Sequence, residues 1–262
     1  MVLSFAQPQE ERSYRLGVPA SYGKDTPAPL ILNLHGSGST AEQQTLYSDV
    51  PQRAGARGFV TVTPDAKGRQ WELTAEGPDR DFLEALVDDV EQRYCVDLDR
   101  VHAMGLSLGA WKAALSACVE PDRYASVALV TVEVHPPNCR PLPVVAFHGT
   151  ADNIVPYGEG ADPDVVVLGG NVGLPGARSN IASWARTAGC AEPHREDKIG
   201  DDVAHWTFDR CQPGLGVEFY SILHGGHTWP GATLGAGRPG QTATIDATAI
   251  ALDWFEAHPR RR

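Results

Sequence analysis

Gly105-Leu106-Ser107-Leu108-Gly109 constrains this chain more than any other stretch, because a buried strand runs into it and a helix runs out. Ahead of it, Arg100-Val101-His102-Ala103-Met104 reads as a short apolar strand. Behind it, Ala110 to Cys118 is alanine-rich and reads as a helix. A serine held in so sharp a strand-to-helix turn has a strained backbone and needs neighbours with almost no side chain. The turn pushes the Ser107 hydroxyl into the open and aims the next backbone N–H groups at whatever approaches. A plain glycine-rich turn could carry the same letters, but it would not need the flanking strand and helix. Ser107 is the candidate nucleophile.

A free serine is a poor nucleophile at neutral pH, so it needs a base, and the base needs an acid to orient it. Both follow downstream. Pro143-Val144-Val145-Ala146-Phe147 is an apolar run ending in His148-Gly149-Thr150-Ala151-Asp152. This puts Asp152 in a loop at the C-terminal end of a strand, where the sites of parallel sheets collect. Val217 to Leu223 alternates and ends in His224-Gly225-Gly226-His227-Thr228-Trp229-Pro230. His227, between glycines past a strand end, suits a base that reaches sideways to Ser107. Taken singly, Asp152 could be an Asx-turn residue and His227 a surface loop histidine. Their order, Ser then acid then His, favours the catalytic reading. Glu133, at the end of the run Ser126 to Val132, is a rival acid, with Asp152 favoured and Glu133 expected in a loop near the mouth of the site.

Upstream, Pro29-Leu30-Ile31-Leu32-Asn33-Leu34 runs into His35-Gly36-Ser37-Gly38. That loop can present the Ser37 N–H, and the residue after the nucleophile can present the Leu108 N–H. Two such preset donors make an oxyanion hole, each typically contributing about 3–4 kcal/mol to the transition state. Phosphate binding is a poor second, since neither G-K-[ST] nor G-x-G-x-x-G opens a helix here. Trp71 and Trp229 are candidate walls of a substrate pocket, or else packed aromatics. His35 and His148 read as satisfied structural histidines at strand ends. His224 and His227 lack a third ligand at matching spacing, so no metal is expected, and no cofactor is required.

These segments, with Phe82-Leu83-Glu84-Ala85-Leu86-Val87-Asp88-Asp89, Arg93-Tyr94-Cys95-Val96-Asp97, Val155-Pro156-Tyr157 and Gly231, resemble the bacterial esterases grouped with polyhydroxybutyrate depolymerases, LpqC-type lipoproteins and feruloyl or acetylxylan esterases. The resemblance spans most of the chain. It implies an α/β-hydrolase fold without a large cap domain and a triad of Ser107, Asp152 and His227. It further implies an ester substrate that is feruloyl, acetyl or a short hydroxyalkanoate. Leu108 stands where members often carry Asn or Ala, and Ala110 where they often carry a second glycine; a bulkier Leu108 is expected to narrow the site. In secreted relatives Cys190 and Cys211 would be a disulfide pair. A serine peptidase or amidase would use the same triad, and a non-catalytic binding protein could use the same scaffold.

The chain has 262 residues, enough for one large α/β domain, 1–262, with a substantial core. Its formal net charge of −11 and lack of basic clusters interleaved with aromatics speak against nucleic acid and anionic membrane surfaces as partners. No segment approaches ~18 consecutive apolar residues, so none is expected to span a membrane. Met1 to Ala6 is too short for the apolar region of a signal peptide. Five cysteines leave at least one thiol over. The alternatives are a secreted protein without its leader or a cytoplasmic one with reduced thiols.

Along the chain, Ser13 to Pro19 alternates and is expected as an antiparallel strand at one sheet edge. Thr40 to Arg57 is expected as one helix capped by Thr40, Phe59 to Thr63 as a strand, and 79–94 as a helix with its apolar stripe on the sheet. Residues 162–176, rich in Gly, Pro and Asp around Val165-Val166-Val167-Leu168, are a candidate border of the site or a surface excursion. Arg178 to Ala188 reads as a helix, Val203 to Phe208 as a strand beside the one before His227, and 242–257 as the closing helix. Regular alternation of strands and helices argues for a mostly parallel, doubly wound sheet flanked by helices.

Overall fold

Apolar residues in the central segments alternate between two destinations, and that alternation builds the fold. In a computed structural model describing residues 2–7, 10–158, 175–234 and 240–260, Leu30, Leu32 and Leu34 of β3 (Ala28–Leu34) enter one core cluster and Ile31 the other. The same split separates Val127 and Leu129 from Ala128 and Val130 in β6 (Ser126–Val130), and Val144 and Ala146 from Val145 and Phe147 in β7 (Val144–Gly149). Strands buried on both faces are the mark of a parallel sheet covered by helices on each side. The apolar run at 165–168 lies outside the described residues.

Among the described residues the sheet has ten strands. Its centre is parallel: β4 (Val60–Pro64), β3, β5 (Val96–Leu106), β6, β7 and β10 (Val217–Ile222), side by side in that order. Antiparallel strands flank it. β2 (Glu10–Gly17) pairs with β4, and β1 (Val2–Gln7) forms the edge beyond it, so the strand expected at the edge is one place in. On the other side β9 (Val203–Phe208) pairs with β10, as expected, and β8 (Arg195–Ile199) closes that edge.

Helices α3 (Pro78–Arg93), α4 (Leu108–Val119) and α5 (Ala177–Thr187) pack on one face through Phe82, Leu86, Ala113, Ala114, Ile181 and Trp184. The other face is covered by α2 (Val50–Ala56) and α6 (Ala247–Ala257) through Val50, Ala54, Ala251, Leu252 and Phe255. Thr40 caps α1 (Ala41–Ser48) by accepting the Gln43 N–H, as its sequence suggests. The single helix expected over 40–57 is broken at Asp49, whose φ of 53° is left-handed, and Pro51 restarts it at the head of α2. The closing helix also starts later than expected. The Thr242 hydroxyl is used by Asp202, its carbonyl takes the Gly231 N–H, and Asp246 caps α6 instead.

Two disulfides are present. Cys190–Cys211 joins the segments after α5 and β9, and Cys118–Cys139 ties the end of α4 to the β6–β7 loop. Cys95 is the remaining thiol. Among the described residues, no helix is long and apolar enough to cross a membrane.

Candidate active site at the C-terminal rim of the sheet

The elbow at Ser107 is as sharp as its glycines suggest. Ser107 has φ 56° and ψ −122°, a backbone state that a side-chain-bearing residue adopts only when its surroundings enforce it. Here the Ser107 N–H is pinned to the Val130 carbonyl at 2.8 Å, and its own carbonyl accepts from Ala110 as α4 begins. The flanking glycines answer to close approach. A Cβ on Gly109 would lie 2.3 Å from the Leu34 carbonyl oxygen, and one on Gly105 would lie 2.4 Å from the Gly109 backbone. The serine is 5 % exposed, and its hydroxyl makes no hydrogen bond among the described residues.

The loop after β3 lies directly over this elbow. A Cβ on Gly36 would sit 3.4 Å from that of Ser107, which puts Ser37 next to the candidate nucleophile. The loop is held from behind. His35 Nε2 accepts the Ala66 N–H at 3.0 Å, so its proton sits on Nδ1 and is donated to the Gly36 carbonyl at 2.8 Å. Burial lowers the pKa of this ring and favours that neutral tautomer. The Gly38 N–H is taken by Arg69, and the Ser37 hydroxyl accepts from Gln70. Neither the Ser37 N–H nor the Leu108 N–H has an acceptor among the described residues, so both remain available to a ligand. The Leu108 side chain is buried in the core on the α3–α4 face, which directs its extra bulk there.

The candidate acid and base meet two strands further on. His227 Nδ1 lies 2.7 Å from Asp152 Oδ2. The loops carrying them interlock: a Cβ on Gly149 would be 2.3 Å from the Gly225 backbone, and the Ala151 N–H donates to the Gly225 carbonyl at 2.8 Å. Asp152 closes an Asx turn and faces His227 at the same time. Oδ1 accepts the Ile154 and Val155 N–H groups at 2.8 and 2.9 Å, leaving Oδ2 for His227. Burial works against the Asp152 charge, but hydrogen bonds from His148 and His227 outweigh it and hold the carboxyl well below its usual range. The far nitrogen of His227, Nε2, lies 3.5 Å from the hydroxyl of Thr131. Thr131 is next to Ser107 at the strand ends, since Leu106 pairs with Val130.

Three residues of this rim have roles the sequence did not disclose. Thr131, expected as strand, follows the end of β6 with φ 66°, an outlier for a β-branched residue. Glu133, expected in a loop near the mouth, is fully buried and, among the described residues, makes no hydrogen bond to His227. Its Oε2 lies 2.8 Å from His148 Nδ1, and its backbone carbonyl accepts the Trp184 indole N–H. His148 also faces the Val155 carbonyl at 2.9 Å and Asp152 Oδ2 at 3.4 Å through Nε2. The adjacency of β6 and β7 was the signal that could have found this pair.

Of the two readings for Trp71 and Trp229, pocket wall or packed aromatic, the buried side chains match the second. Trp71, 3 % exposed, donates its indole N–H to the His35 carbonyl and supports the Ser37 loop from beneath. Trp229, 1 % exposed, donates to the Thr248 hydroxyl under α6. Their polar tips are spent on the scaffold. Among the described residues no group of three or more His, Cys, Asp or Glu is arranged to hold a metal.

No family model matches the chain. Over 261 residues it is 29 % identical to a putative esterase, NocK, of Nocardia uniformis subsp. tsuyamanensis, covering 90 % of this chain and 75 % of that protein. It is 27 % identical over 224 residues to feruloyl esterase B of Piromyces equi, covering 80 % of this chain but only 41 % of that longer protein. Among solved structures, the acetyl xylan esterase from Aspergillus awamori superposes with a TM-score of 0.69 at 13 % identity, covering 98 % of this chain and 99 % of that one. By these likenesses in sequence and in backbone, the chain is an esterase-like protein of the α/β-hydrolase fold.

Proposed function

We propose that this chain, as one domain, hydrolyses carboxylic esters through Ser107, His227 and Asp152, with the N–H groups of Ser37 and Leu108 as oxyanion donors. The observation that carries the proposal is the 2.7 Å Asp152–His227 hydrogen bond, at the same rim of the sheet as the strained Ser107 elbow. As Ser107 Oγ attacks the acyl carbon, its proton passes to His227 Nε2. Asp152 keeps Nδ1 protonated and balances the imidazolium that forms. The carbonyl oxygen becomes an oxyanion between the two free N–H groups. Collapse expels the alcohol, which takes the proton from Nε2. A water then attacks the acyl-enzyme, giving its proton to the same nitrogen, and the acid leaves as Ser107 regains its hydrogen.

Feruloyl esters are the first substrate class to try, because sequence relatives carry that name; acetyl and short hydroxyalkanoate esters follow. Two disulfides support an oxidising destination and hence export. The test is a fluorophosphonate probe with Ser107→Ala as control. The probe should label the parent and not the variant, and the variant's kcat on nitrophenyl acetate should fall by roughly 10⁴–10⁶-fold. A variant within tenfold of the parent overturns the proposal.

A further inference from the structure

The serine, base and acid leave two buried ionisable side chains behind Asp152 unexplained. His148 and Glu133 both have fully buried side chains, they lie 2.8 Å apart, and the far nitrogen of His148 stands 3.4 Å from the oxygen of Asp152 that His227 uses. Polar groups are rarely taken so far from water without a task, because the desolvation of each charge must be offset by its partners. Among the described residues, every neighbour of the His148 ring nitrogens is an acceptor. The Val155 carbonyl can only accept, so Nε2 carries a proton, and Nδ1 faces a carboxylate oxygen. Burial alone would strip such a ring of its charge; the Glu133 charge and the Asp152 hydrogen bond outweigh it and raise His148 to about 10.

We infer that Glu133 and His148 form a buried ion pair that positions the acid, fixing the Asp152 carboxylate on His227. This inference rests on the proposed triad. The three charges, minus, plus and minus, leave one net negative charge, which faces His227. Without Glu133, the His148 cation would neutralise Asp152 and draw Oδ2 away from His227. Without His148, the Glu133 and Asp152 carboxylates would be buried with no cation between them, and their repulsion would turn Asp152 off His227. Either way the base loses the partner that sets its tautomer, while the pocket that binds ester is untouched. Glu133 and His148 therefore act through Asp152 and are positioning residues. Among the described residues, the remaining titratable groups around His148 are few. Tyr157 packs edge-on at 5.7 Å between ring centres with its hydroxyl on Ser221, and His227 is reached only through Asp152.

The experiment compares the parent with Glu133→Gln, His148→Gln and Ser107→Ala on nitrophenyl acetate, with folding checked by circular dichroism. Glu133→Gln keeps the shape and an acceptor for Nδ1, so it isolates the charge. The expected result is a loss of about 10–10² in kcat for both positioning variants, the scale of a small misplacement of reacting groups, with KM within twofold. The acid limb of the kcat/KM profile should move to higher pH in His148→Gln, because Asp152 loses a cation. The low-field proton resonance of the Asp152–His227 hydrogen bond should shift or vanish in both. Folded variants with the parental kcat, pH profile and resonance overturn the inference. A kcat that falls only with the folded fraction, at an unaltered pH profile, overturns it too. If Ser107→Ala is inactive while both positioning variants match the parent, the triad stands and the ion pair has no catalytic role. If Ser107→Ala stays active, the triad itself fails.

Discussion

His102 and His148 are both fully buried in parallel strands of one sheet, yet their surroundings drive their protonation in opposite directions. His102, in the middle of β5, stacks on Phe255 with ring centres 4.6 Å apart and, among the described residues, hydrogen-bonds the Ser126 hydroxyl alone, at 2.9 Å. Its Nε2 has no partner among the described residues. Burial, helped by Arg100 and His258, pushes it down to about 3, so it is neutral. His148, near the C-terminal end of β7, feels the same burial, but two carboxylates overturn it. Depth is equal, so depth does not decide. What differs is position along the strand: the middle meets helix α6 and its apolar face, whereas the rim meets the loops that carry the carboxylates. A charge is kept inside this protein where it can act on a neighbouring charge, and is suppressed where it cannot.

The largest test of that contrast is to delete each ring. His148→Leu leaves Glu133 and Asp152 buried without the cation between them, and should cost about 3–5 kcal/mol of stability at pH 7 by chemical denaturation. His102→Leu removes a neutral group with one hydrogen bond, and should cost about 1–3 kcal/mol, mostly through the stranded Ser126 hydroxyl. Equal and small losses at both positions would abolish the distinction.

A second test reads the sign of each shift through pH. His148 is raised from 6.5, so its stabilisation is complete below 6.5 and drains away as pH climbs toward about 10. His102 is lowered from 6.5, so the unfolded chain takes its proton first and stability falls as pH drops from 6.5 toward about 3. Asp152, lowered from 3.8, adds a loss only below the ordinary carboxylate range. Unfolding free energies measured at pH 5, 7 and 9 should therefore peak near neutrality in the parent. In His148→Gln the decline on the alkaline side should flatten while the acid side keeps its slope. An alkaline decline that survives this substitution would show that His148 is not the charged group.

Much of the site was legible because its signals are local. The elbow needs glycines at two fixed offsets, the strands announce themselves by alternation, and Asp152 and His227 each follow a strand end. What was not legible depends on which distant element lies opposite. Asp49 breaks the expected 40–57 helix through its own backbone, with Pro51 two residues on, a combination that read as continuous until the chain had to turn under the sheet. Thr242 looks like a helix starter, but its hydroxyl is claimed by Asp202 forty positions upstream. Trp71 and Trp229 have no sequence mark telling an indole that lines a pocket from one that props a loop. Glu133 reads as a loop acid until β6 and β7 are laid side by side, when it falls beside His148. Charged neighbours of that kind are a property of sheet order, which single-strand patterns do not encode.

The smallest effect, and the finest probe of the contrast, comes from His102→Phe. A phenyl ring retains the stacking on Phe255 and the volume of the site, and gives up only the bond to Ser126. At pH 7 the variant should be less stable than the parent by about 1 kcal/mol, the net worth of one such hydrogen bond. As pH falls below 6.5 the parent is penalised because its unfolded chain binds a proton that the folded ring refuses, whereas phenylalanine has no proton to bind. The two stability curves should therefore converge and cross on the acid side, with the variant ahead near pH 4.5. Urea midpoints taken at half-unit steps from pH 4 to 8 will resolve the crossing. Parallel curves over that range would mean that His102 titrates alike in both states, and the neutral half of the comparison would fall.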